Sequence, residues 1–388
     1  MFKETSNVVV FDLIGLFAGY MIALQLGVFQ QLPPWAIALY PAVLSVRGVI
    51  NGLLSGRLST ALHLGIIYPK FFGNTKSFNK LIQAMIVLTL ATAGTISVIS
   101  LFFGSLFWGV TIADFPAILT VLVATLSLSL LVTLATVKLA FVSFKKGLDP
   151  DTTVYPAVSI IANVILTFFY IVVLNLYFFG DTGRWAIILL GLVNVSLVLA
   201  VLPRSIRQTE FTGALKEALG TMLLVSLLVN ITGTFLLAAN NLAFMRDTVF
   251  TAYPAMIDLM GDVGLIVGTT ATTKLALGFL SPSFSSIKKH AKNIFTIWAA
   301  SFLLFIVLGF LSLIINEALS WEGIAGLLPV LAISNIISFF AISIISYGIS
   351  ILTFKKGLDP DNFVIPIVSA LADSFITVAL FGALLLML

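Results

Sequence analysis

Phe144-Lys-Lys-Gly-Leu-Asp-Pro-Asp151 returns without a change as Phe354-Lys-Lys-Gly-Leu-Asp-Pro-Asp361, 210 residues later. The match runs on into the apolar stretch behind each copy, where Val154, Pro156, Val158, Ser159 and Ala162 are met again as Val364, Pro366, Val368, Ser369 and Ala372. Upstream, Tyr40-Pro-Ala42 is met again as Tyr253-Pro-Ala255, and Gly48 and Gly65 realign with Gly261 and Gly278. The chain is a duplication. What is duplicated is decided by the stretches between these motifs.

Those stretches are apolar for twenty residues or more at a time. Of 388 residues, 60% are hydrophobic and 9% charged, with a mean hydropathy of +1.16. Soluble domains run at about 45–50% apolar and about 25% charged, so a soluble globular protein is excluded. A net charge of only +4, with no dense basic patch laced with aromatics, excludes a nucleic-acid partner. There is no cysteine, hence no disulfide and no thiolate metal site, and His63 and His290 are the only histidines. A metal ion handled by this chain is therefore a hard cation bound through oxygen.

An apolar helix needs about 20 residues to cross about 30 Å of hydrocarbon. That ruler gives eleven spans, from Val8–Phe29, Trp35–Ile67 and Leu81–Trp108 to Leu327–Phe354 and Val364–Leu388. No A-x-A-like cleavage site follows the first, which reads as an anchored helix. The expected fold is an all-α polytopic membrane protein, with about 11 transmembrane helices as two parallel five-helix repeats joined by a linker helix. Repeat 1 takes residues 1–179, the linker with transmembrane helix 6 takes 180–217, and repeat 2 takes 218–388. Five spans would leave the second copy inverted and the sixth turns it back, so the copies share one direction through the bilayer. Fourteen Lys and Arg, among them Lys70, Lys145, Lys146, Lys288 and Lys289, fall on the side of the N-terminus, against Arg184 and Arg246 on the other. The positive-inside rule then predicts a multi-pass protein of the cell membrane, N-terminus cytoplasmic and C-terminus external.

Ionisable groups inside a membrane cost about 2.5–3.5 kcal/mol each on insertion scales and so mark function by default. Four acids lie within spans: Asp12, Asp258, Asp262 and Asp373. Asp262 and Asp373 fall near the middle of their helices, and Asp258 sits one turn from Asp262 on the same face. The repeat partner of Asp373 is Asn163, and that of Asp262 is Val49, with Asn51 two residues on. These five, Asp373, Asp262, Asn163, Asp258 and Asn51, are the expected cation ligands, although interhelical hydrogen bonding by the two asparagines is the competing reading. Asp12, four residues into its span, is expected to anchor at the cytoplasmic edge. Arg57, Lys138 and Lys274 are expected to snorkel to that edge. Arg47 stands near mid-depth, and which acid offsets it is open. Asp149 and Asp359 read as helix caps before a proline at the first helical position, while Asp151 and Asp361 are placed to attract cations at a mouth. Gly48, Gly52, Gly56, Gly261, Gly264 and Gly268 read as points of close helix contact.

At these residues the sequence resembles the membrane domain of the MgtE magnesium channels, and still more their eukaryotic solute-carrier relatives. The resemblance is carried by Gly48-x8-Arg57-Leu-Ser-Thr-Ala61 and by Gly357-Leu-Asp-Pro-Asp-x4-Pro366-x6-Asp373 with its first-repeat copy. It implies transport of Mg2+ through a path between the two repeats, lined by their second and fifth helices, with Asp373 as principal ligand. Mg2+ would be the transported ion, with other hard divalent cations as competitors and the lipid bilayer as the remaining partner. A fused pair of units needs no second subunit, so the chain is expected to work as a monomer. The sequence departs from the family at Asn163 and at Val49, which makes the halves chemically unequal. That leaves a Na+ or H+ coupled Mg2+ exchanger open beside a channel. Two midplane aspartates also admit an intramembrane aspartyl protease, but Leu259 stands where its Gly-x-Gly-Asp pattern needs glycine. A scaffold that transports nothing is the remaining alternative. No enzyme activity is expected.

Overall fold

Backbone N–H and C=O groups in lipid have no water to bond, so long apolar runs satisfy them internally as helices. Every regular element among the described residues is helical. The computed structural model describes residues 11–146, 150–205, 209–242, 245–356 and 361–387. Within them, the side chains at 11, 47–49, 51–53, 55–56, 150–160, 204–205, 209–219, 221 and 361–367 lie outside the description.

After a 3-10 turn at Phe11–Ile14 come α1 (Gly15–Phe29), the single turn α2 (Trp35–Ala38), α3 (Tyr40–His63) and α4 (Lys76–Phe107). The first half continues with α5 (Phe115–Leu128), α6 (Leu130–Lys145), α7 (Pro150–Phe178) and α8 (Asp181–Ser205). Then follow α9 (Thr209–Leu242), α10 (Arg246–Ala276), α11 (Ile287–Ile315), α12 (Trp321–Lys355) and α13 (Asp361–Leu386). Local sequence sets several of the ends. Thr75 caps α4 by accepting from the Phe78 amide at 3.3 Å, and Ser320 caps α12 by accepting from Gly323 at 3.0 Å. α7 opens on Pro150, as a proline at the first helical position predicts. Asp149 and Asp359, the expected caps there, lie outside the described residues.

Ten helical stretches among the described residues are long and apolar enough to cross a membrane, against eleven expected. The difference is Trp35–Ile67. Its helix α3 has 24 residues, about 36 Å at 1.5 Å per residue, but past the apolar stretch Trp35–Val46 several of its side chains lie outside the described residues. A second difference separates the repeats. The fourth span of the first is broken into α5 and α6 at Ser129, where Ser127 and Ser129 turn their hydroxyls back onto the carbonyls of Val123 and Leu126. Its counterpart α12 runs unbroken for 35 residues.

The chain forms two compact units, Gly27–Thr234 and the combination of Met1–Leu26 with Phe235–Leu388. The repeats of the sequence and the units of the structure therefore differ by an exchange: the first helix of each repeat packs with the remaining helices of the other. In the unit built on Phe235–Leu388, α10 is the most enclosed span, with 72% of its apolar window buried. α11, α12 and α13 pack around it. Serines knit the seam with α12, Ser346 donating to the Gly264 carbonyl at 2.5 Å and Ser350 to that of Gly268 at 3.1 Å. Gly264 has no room for a side chain, since a Cβ there would meet Val368 at 2.5 Å and Ile342 at 2.9 Å. In the Gly27–Thr234 unit, α3 packs on α7, and Trp35, Tyr40 and Tyr170 are its largest fully buried side chains. Small residues and interhelical hydrogen bonds do this work because lipid offers no hydrophobic drive between helices.

Candidate functional site

Thr251, Ala255, Asp258 and Asp262 recur at i, i+4, i+7 and i+11, which puts them on one flank of α10. α1 lies on that flank. A Cβ on Gly15 would stand 2.9 Å from the Ala255 Cα, and one on Gly19 would run into the Thr251 carbonyl. Two glycines one turn apart thus let the two backbones touch. As α1 advances from Gly15 to Gly19, α10 retreats from Ala255 to Thr251, an antiparallel register. Carried back three residues, it sets Asp12 opposite Asp258.

Asp12 is only 1% exposed, and among the described residues neither of its carboxylate oxygens has a hydrogen-bond partner. The charges that act on it are those of Asp262 and Asp258. The expectation of an anchor at the membrane edge is thereby overturned. The ruler laid from Val8 takes the first helix as a full span, whereas the turn carrying Asp12 lies level with the middle of α10. The start of a helix favours a carboxylate by about 0.3–1 kcal/mol, or about 2 at best. A charge buried at mid-span costs about 2.5–3.5 kcal/mol or more, so the helix end alone does not offset it.

Asp373 enters the same level from α13. Tyr253 and Thr377 are hydrogen-bonded at 2.8 Å, and Gly264 abuts Val368, so α13 runs antiparallel to α10 and Asp373 falls within about a turn of Asp258. It is 7% exposed and stands one turn before Thr377, which donates to its carbonyl at 2.7 Å. Asp258 and Asp262 are half-buried. The structure thus gathers Asp12, Asp258 and Asp262 on one flank of α10. It sets Asp373 at the same level on the neighbouring helix.

The other unit repeats this frame without its charges. Tyr40 and Thr167 are hydrogen-bonded at 3.0 Å, in the same relation as Tyr253 and Thr377. A Cβ on Gly233 would run into the Ala38 carbonyl, and Ala38 precedes Tyr40 by the two residues that separate Thr251 from Tyr253. Seven residues before Gly233 stands Ser226, where the same step from Gly19 reaches Asp12. The half-buried Asp258 is matched by Ser45 and Asp373 by Asn163, and these last three are buried. Asn163, expected as a neutral ligand, is 5% exposed on α7. Asn51 is in α3, but its side chain and that of Arg47 lie outside the described residues.

Past Asp12 the flank of α10 is only half-buried among the described residues. Gly261, Asp262, Leu265, Ile266, Thr269 and Thr270 are half-buried, and Thr273 is exposed. A Cβ on Gly261 would meet nothing within 4 Å, so of the glycines expected at close contacts Gly264 serves one and Gly261 faces open space. Lys274 does not reach outward as expected. Its ammonium donates to His290 Nδ1 at 3.2 Å, which leaves His290 Nε2 to donate to Thr270 at 3.3 Å. Among the described residues no group of three or more histidine or acidic side chains is placed to hold a metal ion.

A family model for MgtE divalent cation transporters matches the chain in two segments, residues 40–173 and 253–383. The segments begin at Tyr40 and Tyr253, fall one in each repeat, and together cover more than half of the chain. The comparisons with curated proteins and with solved structures gave no match. The chain belongs to the MgtE family of divalent cation transporters.

Proposed function

We propose that the chain carries Mg2+ across the cell membrane, along a path lined by the second and fifth helices of its repeats, α3, α7, α10 and α13. The observation that carries this reading is the level shared by Asp258 and Asp262 on α10 and Asp373 on α13, two helices fastened to each other by Tyr253 and Thr377. Mg2+ dehydrates reluctantly, so a few spaced carboxylates suit it better than a tight cage. Asp373 is the principal ligand, Asp262 and Asp258 add charge, and Asn163 and Asn51 contribute neutral oxygens. The excess of Lys and Arg on one side places the N-terminus in the cytoplasm. The chain works as a monomer, since it holds both repeats.

The unequal halves favour a second reading, exchange of Mg2+ against Na+ or H+. Mg2+ uptake into proteoliposomes, with and without Na+ and pH gradients, tests both. Uptake without any counter-ion gradient identifies a channel, and uptake only with one identifies an exchanger. A folded protein that takes up no Mg2+ under either condition overturns the proposal. Asp262→Asn should weaken the Mg2+ dependence of uptake without loss of folded protein. Parental uptake by that variant would assign Asp262 to packing or to pairing with Arg47.

A further inference from the structure

Asp12 is the group that the transport path through α10 and α13 does not use. Its burial is built in: Gly15 and Gly19 serve to bring the α1 backbone against Ala255 and Thr251, and the resulting register delivers Asp12 to Asp258. Both of its oxygens are then buried without a hydrogen-bond donor among the described residues, beside two further carboxylates. A folded membrane protein does not keep such a group uncompensated. In the other unit the equivalent close approach, Gly233 on Ala38, delivers only Ser226, whose hydroxyl is satisfied by the Met222 carbonyl at 2.6 Å. The glycine contact therefore serves packing in both units, and the carboxylate is an addition confined to one of them.

We infer that Asp12, Asp258 and Asp262 together hold one hydrated divalent cation, at a site framed by the start of α1 and the flank of α10. Among the described residues the acids form no cage for a bare metal ion, so the ion keeps its own waters, which bridge to the carboxylate oxygens. Open space beside Gly261 and the half-buried flank running to Thr273 give the ion access from the Ala276 end of α10. The start of α1 closes the flank on the other side of the site. The inference rests on the proposed Mg2+ transport only in taking the cation to be divalent.

The test is binding, not transport. The full chain in lipid nanodiscs is titrated with MgCl2 by calorimetry, and its thermal unfolding is followed with and without the salt. Asp12→Asn nearly keeps the shape and removes a buried charge, so the variant should fold. It should lose at least about tenfold in Mg2+ affinity, corresponding to about 1.4 kcal/mol, and most of the stabilisation by Mg2+. Asp258→Asn should do the same, whereas Ser226→Ala, at the equivalent place in the other unit, should keep this binding event. Parental Mg2+ affinity in folded Asp12→Asn and Asp258→Asn proteins overturns the inference, whatever happens to uptake. Stabilisation reproduced by NaCl at equal ionic strength also overturns it. Loss of binding in Asp12→Asn together with parental uptake in Asp373→Asn would instead sink the path and leave this site standing.

Discussion

The two units of this transporter share a frame and differ in charge. Each holds a tyrosine hydrogen-bonded to a threonine across its second and fifth helices, Tyr40 to Thr167 and Tyr253 to Thr377. Each receives the first helix of the other repeat through a glycine set against a carbonyl, Gly233 on Ala38 and Gly19 on Thr251. To one side of these contacts one unit carries Asp12, Asp258, Asp262 and Asp373, and at the matching sequence positions the other carries Ser226, Ser45, Val49 and Asn163. Duplication has kept the parts that fix helix positions and changed the charge at mid-helix. A symmetric pore needs equal ligands from both halves. Under the proposed transport, the charged level would bind a cation strongly and the neutral level weakly, and conduction needs sites weak enough to leave.

The comparison breaks most directly at its most unequal pair. Asp373→Asn removes the charge from α13 with almost no change of shape, and Mg2+ flux should fall at least about tenfold. That factor needs only about 1.4 kcal/mol of binding, and a cation beside a carboxylate in a low-dielectric site should lose more. Asn163→Asp should tighten binding and slow release. Flux and folded yield are to be measured for both. An Asp373→Asn protein that folds and transports like its parent would show that the charged level has no part in transport.

The glycine contacts sharpen the comparison on a smaller scale. Gly19→Ala and Gly233→Ala each push a methyl group into a backbone carbonyl, Thr251 in one unit and Ala38 in the other. Overpacking of this kind costs about 1–3 kcal/mol, and the two losses in thermal stability should be alike. Their effect on Mg2+ should not be. Gly19→Ala shifts the helix that carries Asp12 and should reduce stabilisation by Mg2+, while Gly233→Ala moves only Ser226 and should leave it intact. Equal loss of Mg2+ response in both variants would mean that the exchanged helices act through packing alone.

Much of this frame was legible before any coordinates. The class and the ten spans seen among the described residues follow from twenty-residue apolar runs, and the family and its two copies from the Gly-Leu-Asp-Pro-Asp and Tyr-Pro-Ala motifs. The shared face of Asp258 and Asp262 follows from their spacing of four. Asp12 was not legible, because a ruler laid from the chain start assumes that a helix begins at the membrane edge. The signal was present in Gly15-x3-Gly19, a small-residue pair that asks for a close helix neighbour just behind the acid. Which helix that neighbour is, and that the repeats exchange their first helices, depends on contacts between residues about two hundred or more apart in the chain, Gly233 with Ala38 and Gly19 with Thr251. The break at Ser129 was equally hidden, since serine is tolerated in a helix until two of them bond back to the preceding turn.

The smallest expected effects come from the two tyrosines and carry the finest discrimination. Thr377 spends its one hydroxyl hydrogen on the Asp373 carbonyl, so Tyr253 must be the donor in their 2.8 Å contact. Tyr40 also lies with its ring 6.2 Å from that of Tyr170, which in turn donates to the Ala36 carbonyl at 2.7 Å. At the place of Tyr170 the second repeat has Leu380. Tyr→Phe keeps the ring in both units and removes one interhelical hydrogen bond, about 0.6 kcal/mol on average between membrane helices. Thermal melts should therefore show small and similar losses for Tyr40→Phe and Tyr253→Phe. Their transport should differ in kind. Tyr253→Phe frees α13 one turn from Asp373 and should weaken the Mg2+ dependence of flux, by less than the roughly tenfold set by removing the charge itself. Tyr40→Phe frees α7 beside the neutral Asn163, where displacement of an uncharged oxygen has little to lose, and its Mg2+ dependence should match the parent. If the two variants weaken transport equally, both levels bind the ion, and the inequality of the halves lies in their sequence and not in their work.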